Sequence, residues 1–351
     1  MAVSQEGSRD GMRLAVVGGG AWGTTLAAML AARVDTVLWA REEEVVEDVN
    51  TRHENSLFLP RIELPPALHA VRDLNEAIAG RDVIVMAVPT QHVRSVGAAV
   101  AQHVHDATPI VSLAKGIEHQ TLRRPTEVLA EVLGRPGRAG IGVLSGPNLA
   151  REIAAGEPSA TVLAMADQQW AQRIQSTLMT GRFRVYVSDD IVGCEVGGAV
   201  KNVIAIAAGI ADGLGLGWNS RAALMSRGLA ELARLGVSLG GDPLTFLGLA
   251  GSGDLVATCC SPLSRNRTLG VELGRGRNLA EATARTRAVV EGVATAPSVL
   301  ALAATVTVDM PICSEVAAVL AGQRSPVDAL DILMARVPTS ELHDLLHRST
   351  D

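Results

Sequence analysis

Two lysines stand where a charged amine is unusual. Lys201 and Asn202 lie among apolar neighbours in a segment whose pattern predicts a helix. Such surroundings rarely keep a lysine without a purpose or a partner, although a half-buried helix can also let the amine reach solvent. Lys115 directly follows a predicted strand, whose carboxyl end would point it into a ligand crevice. Asp254, after a Gly-Ser-Gly run, could orient such a lysine or balance its charge.

The chemistry that these residues could perform is the addition of hydride to a ketone. That reaction needs a group that delivers a proton to the developing alkoxide. No histidine stands beside a candidate carboxylate in the glycine-rich motifs, so lysine is the remaining plausible acid. Because the reference pKa of lysine is about 10.4, a desolvated position or a neighbouring cation would suit the task. The run Ser-Arg-Asn-Arg at 264–267 offers donors for a phosphate or a diol, or is simply a polar helix start.

A glycine-rich turn near the N-terminus predicts the source of the hydride. Gly-Gly-Gly-Ala-Trp-Gly at 18–23 satisfies GxGxxG directly after an apolar strand, and it opens a helix. Gly18 permits the tight turn, Gly20 lets the backbone approach a pyrophosphate, and Gly23 allows close helix packing. The N-terminal amides of the helix then face the phosphates. The sequence therefore predicts a dinucleotide site.

Arg41 bears on which dinucleotide is bound. An NAD site usually has a carboxylate at the end of the second strand, whereas this strand ends Trp-Ala-Arg at 39–41. An arginine there can pair with the 2′-phosphate of NADP, so NADPH is the expected cofactor, with NADH use possible. Glu42 and Glu43 follow at once, and Arg41 could instead be a solvated surface charge.

The elements that would position these residues alternate between short apolar strands and helices. With helices between them, strands are predicted near 13–18, 34–39, 82–88, 109–113, 141–144 and 159–165. This alternation is typical of an α/β fold with a parallel, doubly wound sheet of the Rossmann type. Beyond the last of these strands the β-rich runs disappear and long helical segments follow, which predicts an all-helical C-terminal domain.

The length of 351 residues allows two domains, because single cores usually stop growing near ~250–300 residues. We expect a disordered lead-in over 1–12 and a dinucleotide-binding domain over 13–190. A helical substrate and catalytic domain is expected over 191–338, followed by a polar tail over 339–351.

Composition argues against several classes of function. The formal net charge of -6 gives no general attraction for nucleic acid or an anionic membrane, and an aromatic content of 2% argues against a base-stacking surface. Four cysteines without a CxxC pair, and histidines without an HExxH motif, predict no metal site. Neither a signal-peptide core nor a run of ~18 apolar residues is found, so we expect a cytoplasmic protein without a membrane span.

Several motifs together carry a family resemblance. In order they are Gly-Gly-Gly-Ala-Trp-Gly-Thr-Thr-Leu-Ala (18–27), Ala-Lys-Gly-Ile-Glu (114–118), Ser-Gly-Pro (145–147), Gly-Gly-Ala-Val-Lys-Asn-Val-Ile-Ala-Ile (197–206), Gly-Asp-Leu-Val-Ala-Thr-Cys (253–259), Ser-Arg-Asn-Arg (264–267) and Val-Val-Glu-Gly (289–292). The sequence resembles the bacterial NAD(P)-dependent glycerol-3-phosphate dehydrogenases over residues 13–335. The resemblance implies a cytoplasmic oxidoreductase, usually homodimeric, that reduces dihydroxyacetone phosphate to sn-glycerol 3-phosphate for glycerophospholipid synthesis.

The resemblance also implies roles for individual residues. Besides the three motif glycines, the cofactor would be contacted by Ala21, Trp22, Arg41, Lys115, Ala150, Arg265, Val289 and Glu291. The substrate would be held by Lys115, Gly146, Asn148, Lys201, Asn202, Asp254, Thr258, Ser264, Arg265 and Asn266. Lys201 would donate the proton to C2 in reduction and accept it in oxidation, with Asp254 and Lys115 as further catalytic residues. At Asn148 the family commonly has Ser or Thr, so this contact is the least defined.

Two other classes of protein share part of the pattern. β-Hydroxyacid and 6-phosphogluconate-type dehydrogenases also join a Rossmann domain to a helical domain with a catalytic lysine. They typically space the lysine and the asparagine four apart, whereas Lys201 and Asn202 are adjacent. A non-catalytic NADPH sensor would keep the glycine turn but tolerate loss of Lys201 or Asp254. The expected partners are a small-molecule substrate and a second copy of the chain.

Overall fold

The computed structural model describes residues 11–138, 140–284, 289–337 and 341. Within these residues, an N-terminal part is built on one sheet, and every regular element from residue 191 onward is helical. The predicted lead-in and the predicted polar tail fall largely outside the described residues.

One sheet of eight strands organises the N-terminal part. Its strands are β1 (Leu14–Val17), β2 (Thr36–Trp39), β3 (His69–Val71), β4 (Val83–Met86), β5 (Ile110–Ser112), β6 (Ile141–Ser145), β7 (Ser159–Met165) and β8 (Phe183–Ser188). They lie in the order β3-β2-β1-β4-β5-β6-β7-β8. The order reverses between β1 and β4, where a doubly wound sheet opens its ligand crevice beyond the carboxyl ends of the strands. The predicted Rossmann-type sheet is confirmed.

One pair of strands departs from the predicted parallel arrangement. β6 and β7 are antiparallel, whereas all other neighbours in the sheet are parallel. The connection between them contains one short helix of five residues, Ala150–Ala154. This helix stays at the carboxyl edge, so β7 begins at the edge where β6 ends and runs back.

Helices cover the sheet and build the C-terminal part. Those of the N-terminal part are α1 (Ala21–Ala31), α2 (Glu43–Glu47), α3 (Leu74–Ile78), α4 (Val93–Ala101), α5 (Pro125–Val132), α6 (Ala150–Ala154) and α7 (Gln168–Leu178). Those of the C-terminal part are α8 (Ile191–Gly213), α9 (Trp218–Ser238), α10 (Asp254–Cys260), α11 (Arg265–Gly274), α12 (Leu279–Ala284), α13 (Glu291–Thr305), α14 (Pro311–Leu320) and α15 (Pro326–Met334). The predicted all-helical character of this part is confirmed for the described residues. The domain boundary at residue 190 stays a prediction, and α8 begins one residue after it.

Helix α8 is the core of the C-terminal part. Twenty of its 23 residues are buried, and α9, α10, α11, α13 and α14 pack around it. Its length and mean hydropathy would also suit a membrane span, but 94% of its most apolar window is buried inside the protein. The central helix of a large core has this same composition.

Glycines bring α8 and α11 into backbone contact. A Cβ atom at Gly209 would overlap the carbonyl oxygen of Arg267, and one at Gly270 would overlap that of Ile206. Gly213 and the facing end of α11 repeat the pattern one turn further on. Because helix axes normally stay about 8–10 Å apart depending on the side chains between them, glycine on both sides allows the closest approach. This contact fixes the distance between the residues that each helix presents to the crevice.

Candidate active site

The glycine-rich turn has the geometry that its sequence predicts. Gly18 directly follows β1 with a left-handed φ of 132°, and a Cβ there would overlap the backbone of Ala87. A Cβ at Gly23 would overlap the carbonyl oxygen of Gly18, so α1 packs directly on the turn. An added Cβ at Gly20 would meet no atom within 4 Å. The turn is therefore closed on the protein side and open at Gly20.

The predicted cofactor residues of α1 and α6 lie beside this turn. Ala21 and Trp22 begin α1, and the Trp22 ring packs against Phe183 with ring centroids 6.2 Å apart. The indole N–H of Trp22 is buried without an acceptor among the described residues. Ala150 begins α6, and its carbonyl oxygen accepts a hydrogen bond of 3.2 Å from the hydroxyl of Thr25. The start of α6 is thus tied to the helix that follows the turn.

Arg41 lies just beyond the carboxyl end of β2 on the protein surface. Its side chain is 76% exposed, and its guanidinium is 3.0 Å from Glu42 Oε1. Exposed ion pairs of this kind contribute only about 0–1 kcal/mol. The pair with Glu42 therefore leaves Arg41 able to turn toward another anion.

A single carboxylate lies between two ammonium groups. Asp254 Oδ2 is 2.6 Å from Lys115 Nζ, and its Oδ1 is 3.0 Å from Lys201 Nζ. Lys115 also donates to the carbonyl oxygen of Gly146 (2.8 Å), and Lys201 donates to the hydroxyl of Thr258 (2.7 Å). The side chains of Asp254 and Lys201 are 2% and 8% exposed, and that of Lys115 is 16% exposed. With both lysines protonated, the cluster carries one excess positive charge.

Three separate segments bring these charges together. Lys115 follows β5, Lys201 lies in the middle of α8, and Asp254 begins α10 after a π-helical turn at Leu249–Gly253. Gly198 makes the approach possible, because a Cβ there would lie 3.3 Å from Lys115 Cγ. Thr258 is oriented as well, since its hydroxyl donates to the Asp254 carbonyl oxygen at 2.7 Å and so presents its lone pairs to Lys201.

Burial makes the amine of Lys115 easier to deprotonate. Desolvation lowers the pKa of Lys115 from 10.5 to about 8; the carboxylate of Asp254 opposes this shift and the charge of Lys201 adds to it. Desolvation disfavours the charged form of any buried amine, and a like charge acts in the same direction. Lys115 is therefore still mainly protonated at neutral pH, but it loses its proton in mildly alkaline solution.

An amide chain connects α8 through α11 to the start of α13. Asn266 Nδ2 donates to Asn202 Oδ1 at 2.9 Å, and Asn266 Oδ1 accepts from the N–H of Gly292 at 2.9 Å. Asn202 Nδ2 lies 3.5 Å from the carbonyl oxygen of Lys115, at the limit of a hydrogen bond. The predicted substrate residues Asn202 and Asn266 are thus joined to each other and to the Lys115 loop.

The first turn of α11 brings the remaining polar residues to the same region. The Ser264 hydroxyl caps α11 by accepting from the N–H of Arg267 at 3.2 Å. Arg265 is the first residue of α11; surrounding protein lowers its pKa, and the charge of Glu291 opposes that shift. Burial raises the pKa of Glu291, and the charge of Arg265 opposes it. Val289, also predicted at the cofactor, is 54% exposed.

Asn148 lies beside the lysines but faces β7. Its amide nitrogen donates to the hydroxyl of Thr161 at 3.1 Å. Its oxygen and the Ser145 hydroxyl are buried without a partner among the described residues. A buried oxygen without a donor is costly, so each of these two atoms lacks a stabilising hydrogen bond.

The lysine content of the sequence also indicates the positions of Lys115 and Lys201, independently of the motifs. Lys115 and Lys201 are the only lysines among the 31 Lys and Arg residues of the chain. Arginine, which does not release its proton in proteins, supplies every other long-chain cation. A chain that keeps lysine at two sites alone marks those sites as places where arginine does not suffice.

A second group of polar residues holds the loop that follows Lys115. Gln91 donates to the carbonyl oxygen of Ile117 at 2.9 Å and accepts from the N–H of His119 at 3.1 Å. Arg94 forms two hydrogen bonds of 2.8 Å with the buried carboxylate of Glu118. No sequence pattern shows that polar residues such as these form hydrogen bonds with the segment that follows Lys115.

Comparisons with known proteins identify relatives for the whole chain. The family model described as NAD-dependent glycerol-3-phosphate dehydrogenase N-terminus matches residues 13–171, and the corresponding C-terminus model matches residues 190–331. A glycerol-3-phosphate dehydrogenase (NAD(P)+) of Sphingopyxis alaskensis is 49% identical over 95% of this chain and 99% of its own length. Its counterpart in Corynebacterium diphtheriae is 50% identical over 94% of this chain and 100% of its own length. The crystal structure of glycerol-3-phosphate dehydrogenase from Coxiella burnetii superimposes with a TM-score of 0.88 at 37% identity, covering 93% of this chain and 99% of that one.

An NMR titration of the chain labelled with carbon-13 in lysine measures the pKa values of Lys115 and Lys201, since the chain contains no other lysine. We expect the Lys115 signal to titrate near pH 8, well below the ordinary lysine value of 10.5. The Lys115→Met variant loses one signal and so assigns the pair. If the Lys115 signal titrates at 10 or above, Lys115 is not desolvated as described.

Proposed function

This chain belongs to the family of NAD-dependent glycerol-3-phosphate dehydrogenases, and we propose that Lys201, Lys115 and Asp254 form the centre of its reaction. The reaction is the reversible reduction of dihydroxyacetone phosphate to sn-glycerol 3-phosphate with NADPH or NADH, which supplies glycerophospholipid synthesis. The observation that carries the residue assignment is the Asp254 carboxylate shared by both lysines. Membership of this family decides against the hydroxyacid and sensor alternatives.

The open glycine turn supports binding of the nicotinamide cofactor, which supplies the hydride when bound. Gly20 leaves room for a pyrophosphate, and the free N–H groups at the start of α1 face it. Arg41 would hold the 2′-phosphate of NADPH. Arg265 and Glu291, whose opposite charges act on each other, would also contact the cofactor.

Lys201 fits the role of proton donor because its geometry leaves one donor unused. Its amine donates one hydrogen bond to Thr258 and forms an ion pair with Asp254, and no further hydrogen bond joins it to the described residues. In reduction Lys201 would give a proton to the oxygen on C2, and in oxidation the neutral amine would take it back. The carboxylate of Asp254 keeps the ammonium in place in both directions.

Lys115 fits the role of holding the substrate and stabilising developing negative charge. It too has one N–H that no described residue accepts, next to its bonds to Gly146 and Asp254. Fixed donors in a buried site stabilise an alkoxide more than water does, because they need no reorganisation during the reaction. Its positive charge is retained at neutral pH, where the substrate phosphate is anionic.

The first turn of α11 would bind the phosphate of the substrate. Arg265 offers a guanidinium, and the Ser264 hydroxyl can still donate its hydrogen while it caps the helix. Asn266 has one of its two amide N–H bonds engaged with Asn202, so it has one donor left for the ligand. Thr258, held by Asp254 and Lys201, would line the pocket between the two ends of the substrate.

We also propose that the protein is a cytoplasmic homodimer. Large apolar side chains of the C-terminal part are exposed, including Trp218 (73%), Leu244 (71%) and Leu247 (69%). Leu244 and Leu247 lie together in the short 3₁₀ helix Pro243–Leu247, and contiguous exposed apolar groups are typical of surfaces that a partner covers. Light scattering of the purified chain tests the assembly, and a mass of 36.5 kDa would contradict it.

Two replacements of Lys201 distinguish its role in proton transfer from the effect of its positive charge. We expect Lys201→Met to lower kcat by on the order of 10²–10⁴-fold, the usual contribution of a positioned acid, with little change in the Kd for NADPH. Lys201→Arg keeps the positive charge but cannot release a proton, so it should be comparably inactive. The assay is dihydroxyacetone phosphate-dependent oxidation of NADPH, and an Arg variant near the wild-type rate would contradict the role.

Replacement of Arg41 tests the cofactor preference. We expect Arg41→Ala to lower the NADPH-to-NADH ratio of kcat/KM by roughly tenfold or more, because a charge-assisted contact to the 2′-phosphate is lost. Arg13→Ala is the matched control, since Arg13 is also exposed and paired with a carboxylate but lies at the opposite edge of the sheet. Equal ratios in the wild type and Arg41→Ala would remove Arg41 from the cofactor site.

A further inference from the structure

Asn55 is a buried polar residue that has no part in the roles above. It lies in the chain between α2 and β3, and its side chain has no exposed surface. Its amide nitrogen donates to the carbonyl oxygen of Gly19 and to the hydroxyl of Thr24, both at 2.8 Å. Its amide oxygen accepts from the N–H of Phe58 at 3.0 Å. Because an N–H needs an acceptor, Phe58 fixes the orientation of the amide and directs its nitrogen at Gly19.

The bond from Asn55 sets the direction of the neighbouring N–H group. The carbonyl of Gly19 and the N–H of Gly20 belong to one planar trans peptide, so they point in opposite directions. With the carbonyl held inward by Asn55, the Gly20 N–H is directed to the open side of the turn. It has no acceptor among the described residues, and an added Cβ at Gly20 would meet nothing within 4 Å.

The sequence of the turn gives this peptide little stiffness of its own. Glycine stands on both sides of it, and glycine occupies φ values of either sign about equally well. The Thr24 hydroxyl also reaches the Gly19 carbonyl, at 3.2 Å, but it is itself oriented by the amide of Asn55. Asn55 therefore controls both hydrogen bonds that hold the peptide in one orientation.

We propose that Asn55 is a positioning residue for the pyrophosphate of the cofactor. It acts through Gly19 and touches no ligand: it holds the 19–20 peptide so that the Gly20 N–H donates to a pyrophosphate oxygen. The inference rests on the proposed binding of the dinucleotide at this turn. It assigns a function in the cofactor site to the segment between α2 and β3, which carries none of the predicted site residues.

The test compares two ligands that share an adenosine 2′-phosphate. One is 2′-phospho-ADP-ribose, which contains the pyrophosphate, and the other is adenosine 2′-monophosphate, which lacks it. Asn55→Asp keeps the shape but places an oxygen against the Gly19 carbonyl, which should turn the peptide. We expect the affinity for the first ligand to fall by on the order of tenfold, the effect of one charge-assisted hydrogen bond, and that for the second to change by less than about twofold.

Asn50→Asp is the matched control. Asn50 lies in the same segment and forms two backbone hydrogen bonds, of 2.8 and 2.9 Å, with Ala70 but none with the turn. The Asn50→Asp variant should leave the ratio of the affinity for 2′-phospho-ADP-ribose to that for adenosine 2′-monophosphate unchanged. Thr24→Val, which removes the second bond to Gly19, should lower the ratio in the same direction and serves if Asn55→Asp does not fold.

The outcomes separate this inference from the proposed function. A wild-type chain that binds neither ligand would contradict the proposed NADPH site, because both ligands carry its adenosine 2′-phosphate. If the wild type binds both, the inference is overturned when Asn55→Asp binds the two ligands as the wild type does, or when it loses affinity for both equally. Equal loss would show that Asn55 has a general structural role.

Discussion

The buried carboxylate of Asp254 is the interaction on which the rest of the active site depends. It lies within 3.0 Å of two ammonium groups, and each ammonium has further acceptors that fix its direction. Removing one partner from a buried ion pair costs about 3–5 kcal/mol, because the remaining charge is left without compensation. The loop after β5, the middle of α8 and the start of α10 must therefore meet in one arrangement. The same arrangement leaves one free donor on Lys115 and one on Lys201.

Close backbone contacts let the fold meet this requirement. Gly198, which has no Cβ atom, leaves space for the aliphatic part of the Lys115 side chain. Gly209 of α8 and Gly270 of α11 allow the backbones of the two helices to come into contact. Because α11 begins at Arg265 and α8 carries Lys201, that contact also sets the distance between the first turn of α11 and the Lys201 amine. At the other side of the crevice, Asn55 fixes a peptide of the glycine turn. In each case a residue without charge determines where a charged or ligand-binding group lies.

The sequence predicted the parts of this protein that short patterns encode. The glycine turn, the strand and helix alternation, and the two lysines with Asp254 are local signals, and the structure brings the three charges together. Two strands, β3 and β8, were missed because β3 has three residues and β8 is an edge strand whose Arg184 and Tyr186 face solvent. The reversed β7 and the contact of Asn55 with the turn depend on pairings between distant segments, which no local pattern records.

Single-turnover reduction of dihydroxyacetone phosphate by Asp254→Asn, at saturating NADPH, measures how far the reaction depends on the carboxylate that both lysines share. The substitution keeps the size of the side chain and removes the charge that holds both lysines. We expect a rate at least about a hundredfold below that of the wild type, with the Kd for NADPH nearly unchanged. A rate within about twofold of the wild type would contradict it, because proton transfer would then not depend on the shared carboxylate.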